Sequence, residues 1–378
     1  MARERADVGS FDDIAAAAVR TTGLSDFGGS DHEEGLRLLV DDLNAPTAGL
    51  TGVGNFMQRA QVKSALVGRL LSQHGFDSHP EHVEVQVERP IFVLGLPRTG
   101  TTALHRLLTV DERHQGLELW LTEYPQPRPP RETWEDDAVF AGINAAYSQH
   151  HVDNPEFLGI HYIDATSVEE CWRLLRQSGT SIGYESLADV PNYSAWLAEQ
   201  DWRHAYERYK GNLQVIGLND RDRRWVLKNP SHLAALDALM AAFPDALIVQ
   251  THRDPVVSMA SACSLSAEAT RGWSTTFVGE RIGATQLDLW SRALGSFEEA
   301  RARYDEKQFV DVDYAEFVDN PVGVTRSIYE AFDLDWSEQV ATEVEAMDTA
   351  SRQGGRRPAH RYSLDDYGLT EEQVRAAF

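Results

Sequence analysis

Ile91-Phe-Val-Leu-Gly95-Leu-Pro-Arg98-Thr99-Gly100-Thr101-Thr102 decides the fold. Four apolar residues stopped by a glycine read as a short buried strand. Leu104, Leu107 and Leu108 follow at the i, i+3, i+4 spacing of one buried helix face. Between strand and helix, Gly95-x-x-x-x-Gly100 followed by Thr101 and Thr102 has the spacing of a phosphate-cradling P-loop. Glycines let the backbone wrap an anion with its N–H groups turned inward, and the following helix adds its positive end. The two threonines add hydroxyl donors. Taken alone, the spacing says only that a strand turns into a helix, with or without a phosphate.

One position narrows this. Thr101 stands where a nucleotide-hydrolysing P-loop carries Lys, and the cation has moved upstream to Arg98. That Lys normally reaches the β- and γ-phosphates while the last Ser or Thr holds Mg²⁺. No apolar run here ends in an Asp placed to ligate a metal; Ala246-Leu-Ile-Val-Gln250 runs into Thr251-His-Arg253. Both features count against ATP or GTP hydrolysis. A divergent P-loop kinase and a nucleotide-binding non-enzyme stay open as alternatives.

Working outward, Trp225–Lys228 reads as a second strand, Ala246–Gln250 as a third and Phe309–Val312 as a fourth. Asn229-Pro230 offers a helix start, with Leu233, Leu236, Leu239, Met240 and Phe243 as its buried face; Asp254-Pro255 opens another helix, and a further one runs from about Pro321 to Phe332. Strands alternating with helices predict an α/β fold, a P-loop-type doubly wound parallel sheet. Residues 1–88 read as a helical N-terminal region packed on the core, with amphipathic groups at Leu36, Leu38, Leu39, Leu43 and at Val62, Leu66, Leu70, Leu71. Asn44-Ala-Pro-Thr and Thr51-Gly-Val-Gly read as loops. Residues 89–378 form the α/β domain, with a helical insertion at about 111–220 that covers the mouth of the sheet. Ligands in such sheets bind at the carboxyl ends of the strands.

A second anion site falls at the same end. Arg253 and Ser258 flank the helix start that Asp254 caps and Pro255 opens. A guanidinium offers a phosphate two bonds, a hydroxyl adds a third, and the helix dipole favours both. ATP enzymes need no such second site; a 3′,5′-bisphosphorylated adenosine does. The competing reading pairs Arg253 with Asp254.

The net charge of −24 sets nucleic acid and polyanionic glycans aside as partners. Any bound anion must be met by a local cation cluster, such as Arg221, Arg223, Arg224 and Lys228, or Arg352, Arg356, Arg357 and Arg361. Cys171 and Cys263 suggest neither a disulfide framework nor a metal site. No signal peptide and no transmembrane segment is read, so the expected location is the cytoplasm.

Pro97-Arg98-Thr-Gly-Thr-Thr102 resembles the 5′-phosphosulfate loop of the sulfotransferase family, in its bacterial branch related to tyrosylprotein and carbohydrate sulfotransferases. His252-Arg253-Asp-Pro-x-x-Ser258 is similar to that family's 3′-phosphate motif. Val312-Asp-Tyr314, followed by Asp319-Asn-Pro321, resembles a segment whose Tyr lies by the adenine, although Ala315 replaces the acid there. The stretch from Gly355 to Leu369 resembles the C-terminal segment that closes over the nucleotide, with Arg357 and Arg361 as binders. The resemblance covers the chain from about residue 88. It implies a sulfotransferase that uses 3′-phosphoadenosine 5′-phosphosulfate as co-substrate and no metal. The implied nucleotide contacts are Arg98, Thr99, Gly100, Thr101, Thr102, Arg253, Ser258 and Tyr314.

By analogy with phosphoryl transfer, charge builds on the leaving phosphate oxygen. Arg98 and Lys228 are the candidates to neutralise it. The acceptor hydroxyl needs a base. Glu170, in Ser167-Val-Glu-Glu-Cys-Trp172, resembles an acidic pair of the bacterial branch and comes first; Glu118 sits where the tyrosylprotein branch has its Glu; His232, four residues after Lys228, is third. Trp120, Tyr124, Phe157, Tyr162 and Trp172 are the candidate apolar lining. The acceptor class is a small or lipophilic alcohol or phenol, and the oligomeric state stays open.

Overall fold

Side chains of the strand Ile91–Gly95 (β1) alternate between two cores, which is why all five of its residues are buried. Ile91 and Val93 join Leu104, Leu107 and Leu108 of the helix Thr101–Thr109, together with Val324, Ile328 and Val344 from the helices Pro321–Ala331 and Glu338–Gln353. Phe92 and Leu94 face the larger core, which holds Leu233, Leu239, Phe243, Leu289 and Phe297. A sheet with apolar contacts and helices on both faces is doubly wound. The computed structural model describes residues 4–153, 164–353 and 362–378.

The sheet has five strands, all parallel: β1, His114–Gln115 (β2), Arg224–Lys228 (β3), Leu247–His252 (β4) and Phe309–Asp313 (β5), in the order β2-β3-β1-β4-β5. The four expected strands all form. The strand expected at Ala246–Gln250 runs two residues further, to His252. β2 was not anticipated; two residues are too few for periodicity to register. β1 lies between β3 and β4 with Val93 opposite Lys228 and Gly95 opposite Thr251. Gly95, Lys228 and Arg253 therefore emerge side by side at one edge.

Two local expectations change. Thr51-Gly-Val-Gly is the start of the helix Gly52–Ser78, not a loop: the Thr51 hydroxyl accepts from Gly54 N at 3.0 Å. Glycine is needed at position 54 because a Cβ there would stand 1.8 Å from the Trp273 carbonyl oxygen. After Asn229 the chain makes a 3₁₀ turn, Pro230–Ala234, before the α-helix Leu236–Ala242, so the expected helix comes in two pieces.

The N-terminal helices share the larger core with the sheet: Phe11, Leu36 and Val62 belong to the same apolar cluster as Phe92 and Leu94. Polar ties reinforce the contact with residues 187–193. Asp42 accepts from Asn192 Nδ2 at 2.6 Å and from Tyr193 N at 2.9 Å, and the Gln58 amide donates to the Leu187 carbonyl at 2.9 Å. Among the described residues, no helix is long and apolar enough to cross a membrane.

Candidate active site

The loop from Gly95 to Thr102 is held from both sides. A Cβ at Gly95 would lie 2.4 Å from Thr251 Oγ1 and 2.6 Å from the Thr251 carbonyl oxygen, so only glycine lets the loop leave β1 beside β4. The Thr99 hydroxyl donates to the Leu96 carbonyl at 2.7 Å and meets Thr251 Oγ1 at 2.6 Å. Arg98 takes a left-handed backbone, φ 71°, and Gly100 another, φ 87°. That turn aims the Arg98 carbonyl at Arg253, which donates to it from Nη1 at 2.8 Å, while Arg98 Nε donates to Ser261 Oγ at 3.2 Å. Gly100, Thr101 and Thr102 then open the helix at the wall of a cleft.

Lys228, at the carboxyl end of β3, joins the loop to an acid. Its ammonium donates to Thr102 Oγ1 at 3.1 Å and to Glu170 Oε1 at 2.5 Å. Backbone bonds put Glu170 there. Glu169 N donates to the Leu117 carbonyl at 2.8 Å, and Cys171 N to the carbonyl of Lys228 itself at 3.1 Å. The segment is thus pinned on either side of Glu170. Lys228 is 2% exposed and the Glu170 side chain 28%, so the pair is a buried cation carrying a carboxylate that still reaches the cleft.

The second anion site forms at the end of β4. Asp254 accepts from Val256 N at 2.9 Å as the cap of the helix Pro255–Ala269, and Arg375 approaches its other oxygen at 3.3 Å. Arg253 does not pair with it. Its guanidinium stacks over the Tyr314 ring at 4.1 Å. Tyr314 begins the helix that follows β5, and its ring closes on Gly100, where a Cβ would lie 3.1 Å from Tyr314 Cδ2. Ser258 is buried, and among the described residues its hydroxyl has no hydrogen-bond partner.

These parts meet in one cleft of about 560 Å³. Around Arg253 the lining is polar, with Arg98, Gly100, Thr101, Thr102, Asn229, Glu170 and Tyr314. Further along the helix Pro255–Ala269 it reaches Leu265 and Ala269, and Trp172, Ile182, Leu187 and Trp290 add apolar surface, with Glu169, Arg173, Ser186, Ser266 and Gln286 also in the wall.

Residues 90–338 match the sequence profile described as Sulfotransferase family. The chain belongs to the sulfotransferase family. Sulfotransferase STF1 from Mycobacterium tuberculosis H37Rv has a similar structure, with a TM-score of 0.92 and 52% identity over 99% of both chains. Sulfotransferase STF9 from Mycobacterium avium superposes with a TM-score of 0.88 at 29% identity, over 99% of this chain and 96% of that one. The omega-hydroxy-beta-dihydromenaquinone-9 sulfotransferase Stf3 of Mycobacterium bovis is 27% identical over 260 residues, which are 66% of this chain and 64% of the relative's length.

The candidate residues fall into two groups. Arg98, Gly100, Thr101, Thr102, Glu170, Arg253 and Tyr314 line the cleft; Lys228 touches it through Thr102 and Glu170, and Ser258 lies on the helix behind Arg253. The Thr99 hydroxyl is spent inside the protein and the residue is 1% exposed, so its side chain serves to fix the loop. His232 departs from expectation. It is fully buried, receives or gives a 2.6 Å bond with the Tyr206 hydroxyl through Nδ1, and packs edge-on against Phe92. Burial pushes its pKa down to about 3, so it is a neutral core residue and not a base at the cleft. Glu118 is bound by Arg128 at 3.0 and 3.1 Å and does not line the cleft. Trp120 packs against Trp134 and Phe140 in the core, Tyr124 is not in the cleft wall, and among the described residues of the expected lining only Trp172 is. Phe157, Tyr162, Arg357 and Arg361 lie outside the described residues.

The structure adds residues that the sequence did not single out. Asn229 and Ser231 follow Lys228 into the wall; Gln286 and Trp290 come from the helix Glu280–Arg301. The signal for the latter is a buried face at Ile282, Gln286, Leu289, Trp290, Ala293 and Phe297, in which a glutamine sits among apolar residues. The donor set suits a bound anion. Arg98, Arg253 and Lys228 are gathered with the helix starts at Thr101 and Pro255, and the orphaned Ser258 hydroxyl lies at the second of these.

Proposed function

We propose that this protein transfers the sulfuryl group of 3′-phosphoadenosine 5′-phosphosulfate to a hydroxyl of a small or lipophilic alcohol or phenol. The observation that carries this reading is the bridge Thr102–Lys228–Glu170, which links the anion loop to a carboxylate in a cleft that is apolar beyond it. The loop from Arg98 to Thr102 would hold the 5′-phosphosulfate, Arg253 and Ser258 the 3′-phosphate, and Tyr314 the adenine. The bound donor supplies a sulfuryl group whose leaving group is a phosphate oxygen. Arg98 and Lys228 neutralise charge developing at the loop. Glu170 accepts the proton of the acceptor hydroxyl, and its bond to Lys228 keeps it oriented beside the loop. The apolar end holds the acceptor's body and excludes water. The Mycobacterium bovis relative is named for an omega-hydroxy dihydromenaquinone, which supports a lipophilic hydroxyl acceptor here.

Thermal denaturation tests the donor. Adenosine 3′,5′-bisphosphate without Mg²⁺ should raise Tm, corresponding to about 2.7 kcal/mol when ligand is at 100 times Kd. Stabilisation by ATP·Mg²⁺ alone would overturn the reading in favour of a kinase. A panel of alcohols and phenols, scored for sulfated product by mass spectrometry, tests the transfer. Nucleotide binding without any product would point to a non-enzyme.

A further inference from the structure

The apolar end of the cleft contains one polar group that the protein leaves unanswered. Gln286 lies in the wall and is 2% exposed. Its Oε1 accepts from the indole Nε1 of Trp290, one helical turn on, at 3.1 Å. An indole nitrogen can only donate, so this contact fixes which end of the amide is oxygen. The other end, Nε2, is buried and has no partner among the described residues.

The rest of the wall is satisfied or belongs elsewhere. The Ser266 hydroxyl donates to the Ser186 carbonyl at 2.6 Å. Two more lining residues carry an unpartnered buried N–H, Asn229 at Nδ2 and Arg173 at Nε. Asn229 directly follows Lys228 and belongs to the reacting end. The guanidinium of Arg173 lies over the Trp172 ring and is bound by Glu123 and by the Tyr147 hydroxyl at 2.9 Å; it is a charged donor already paired with a carboxylate, unlike the neutral amide of Gln286. Gln286 is left, flanked in the wall by Trp290, Leu265 and Ala269.

A buried amide donor without a partner is unfavourable, and native proteins rarely keep one without a use. In an apolar cleft its use is to recognise an oxygen. We infer that the acceptor carries a second, hydrogen-bond-accepting oxygen, set in its apolar body away from the hydroxyl that reacts, and that Gln286 reads it. The substrate class is then an apolar alcohol with one internal ether, carbonyl or hydroxyl oxygen, and a pure hydrocarbon alcohol is the disfavoured analogue. Such discrimination is effective because the wrong ligand leaves the amide unpaired in a desolvated site. This inference rests on the assignment of the apolar end to the acceptor.

The probes are octan-1-ol and its positional ether isomers, in which one chain CH₂ is replaced by oxygen. Comparing the ethers with one another cancels most of the difference in hydrophobicity. Binding is read from the change in tryptophan emission as Trp172 and Trp290 in the wall lose water, and turnover from kcat/KM for sulfated product. One ether isomer should bind about tenfold tighter than the others. In Gln286→Met, which keeps the side-chain volume and removes the amide, that preference should fall to about one. A flat series in the native enzyme, or an undiminished preference in folded Gln286→Met, overturns the proposal. The native series alone suffices if the variant does not fold. Preferential binding of one isomer, lost in Gln286→Met, with no sulfated product from any would sink the transferase reading and leave Gln286 as the reader of an oxygen in a bound ligand that is not an acceptor.

Discussion

Two cation–carboxylate clusters stand at the ends of neighbouring strands, and they differ in how far the cation is used. Arg128 donates to Gln115 Oε1, Asp220 Oδ2, the Gly116 carbonyl and, from two nitrogens, Glu118 Oε2, at 2.6 to 3.1 Å. Those five contacts equal the five N–H groups of a guanidinium. Burial alone would lower its pKa, but Glu118 and Asp220 more than offset this and hold it above the ordinary value. Lys228 is as deeply buried, yet among the described residues it donates only to Thr102 and Glu170. An ammonium has three N–H groups, so one remains. The saturated cluster closes the core around Trp225, over which Arg128 lies at 5.3 Å. The unsaturated one borders a cleft. Similar chemistry is structural where every donor is met and available for a reaction where one is not.

The sharpest way to break this comparison is to neutralise one acid from each cluster. Glu170→Gln should lower kcat by about 10²–10⁴, the usual worth of a placed base, while the Tm rise produced by adenosine 3′,5′-bisphosphate stays as in the native enzyme. Glu118→Gln should leave kcat within about threefold and cost stability, because Arg128 loses a charged partner. If the effects were exchanged, Glu118 would be the base and Glu170 a structural acid. The second comparison removes the cations. Arg128→Met should cost about 2–3 kcal/mol in urea unfolding, towards the lower end for a broken buried pair because Glu118 and Asp220 keep side-chain exposures of 15% and 23%. Lys228→Met should cost less stability and abolish most turnover. Equal losses of stability would mean that the two clusters do not differ in kind.

The sequence made the polar half of the site legible and the apolar half hardly at all. Gly95, Arg98, Thr101 and Arg253 stand in short contiguous motifs whose spacing is dictated by a strand, a tight turn and a helix start, so reading them needs no long-range contact. Glu170 and Lys228 lie 58 positions apart; only the backbone bond from Cys171 to Lys228 brings them together, and nothing in either local pattern announces it. His232 was misplaced for a related reason. A histidine after a strand-end lysine is chemically suggestive, but the 3₁₀ turn at Pro230 swings it into the core against Phe92 and Tyr206. The aromatic residues are no more legible: Trp120 and Trp172 each follow a glutamate by two positions, yet packing sends one to the core and the other to the cleft. Gln286 goes unnoticed in the sequence because a polar residue on a helix reads as solvent-facing, although Ile282, Leu289, Trp290 and Ala293 around it mark that face as buried.

The smallest effect separates unmet donors from met ones within a single helix. Ser258 and Ser261 lie one turn apart on Pro255–Ala269. Ser261 accepts from Arg98 at 3.2 Å, whereas the Ser258 hydroxyl is buried without a partner among the described residues. A buried hydroxyl left unpaired burdens the free protein, so Ser258→Ala should leave unliganded stability unchanged or raise it by up to about 1 kcal/mol. The same change should weaken adenosine 3′,5′-bisphosphate several-fold, because the hydroxyl's partner would be the second phosphate. Ser261→Ala should do the reverse in the free protein, costing stability as Arg98 loses its anchor. The two readouts carry opposite signs at position 258, which a merely structural serine cannot produce. A Ser258→Ala variant that is less stable when free and binds the bisphosphate unchanged would remove the second phosphate from this helix and leave Arg253 and Tyr314 to hold it alone.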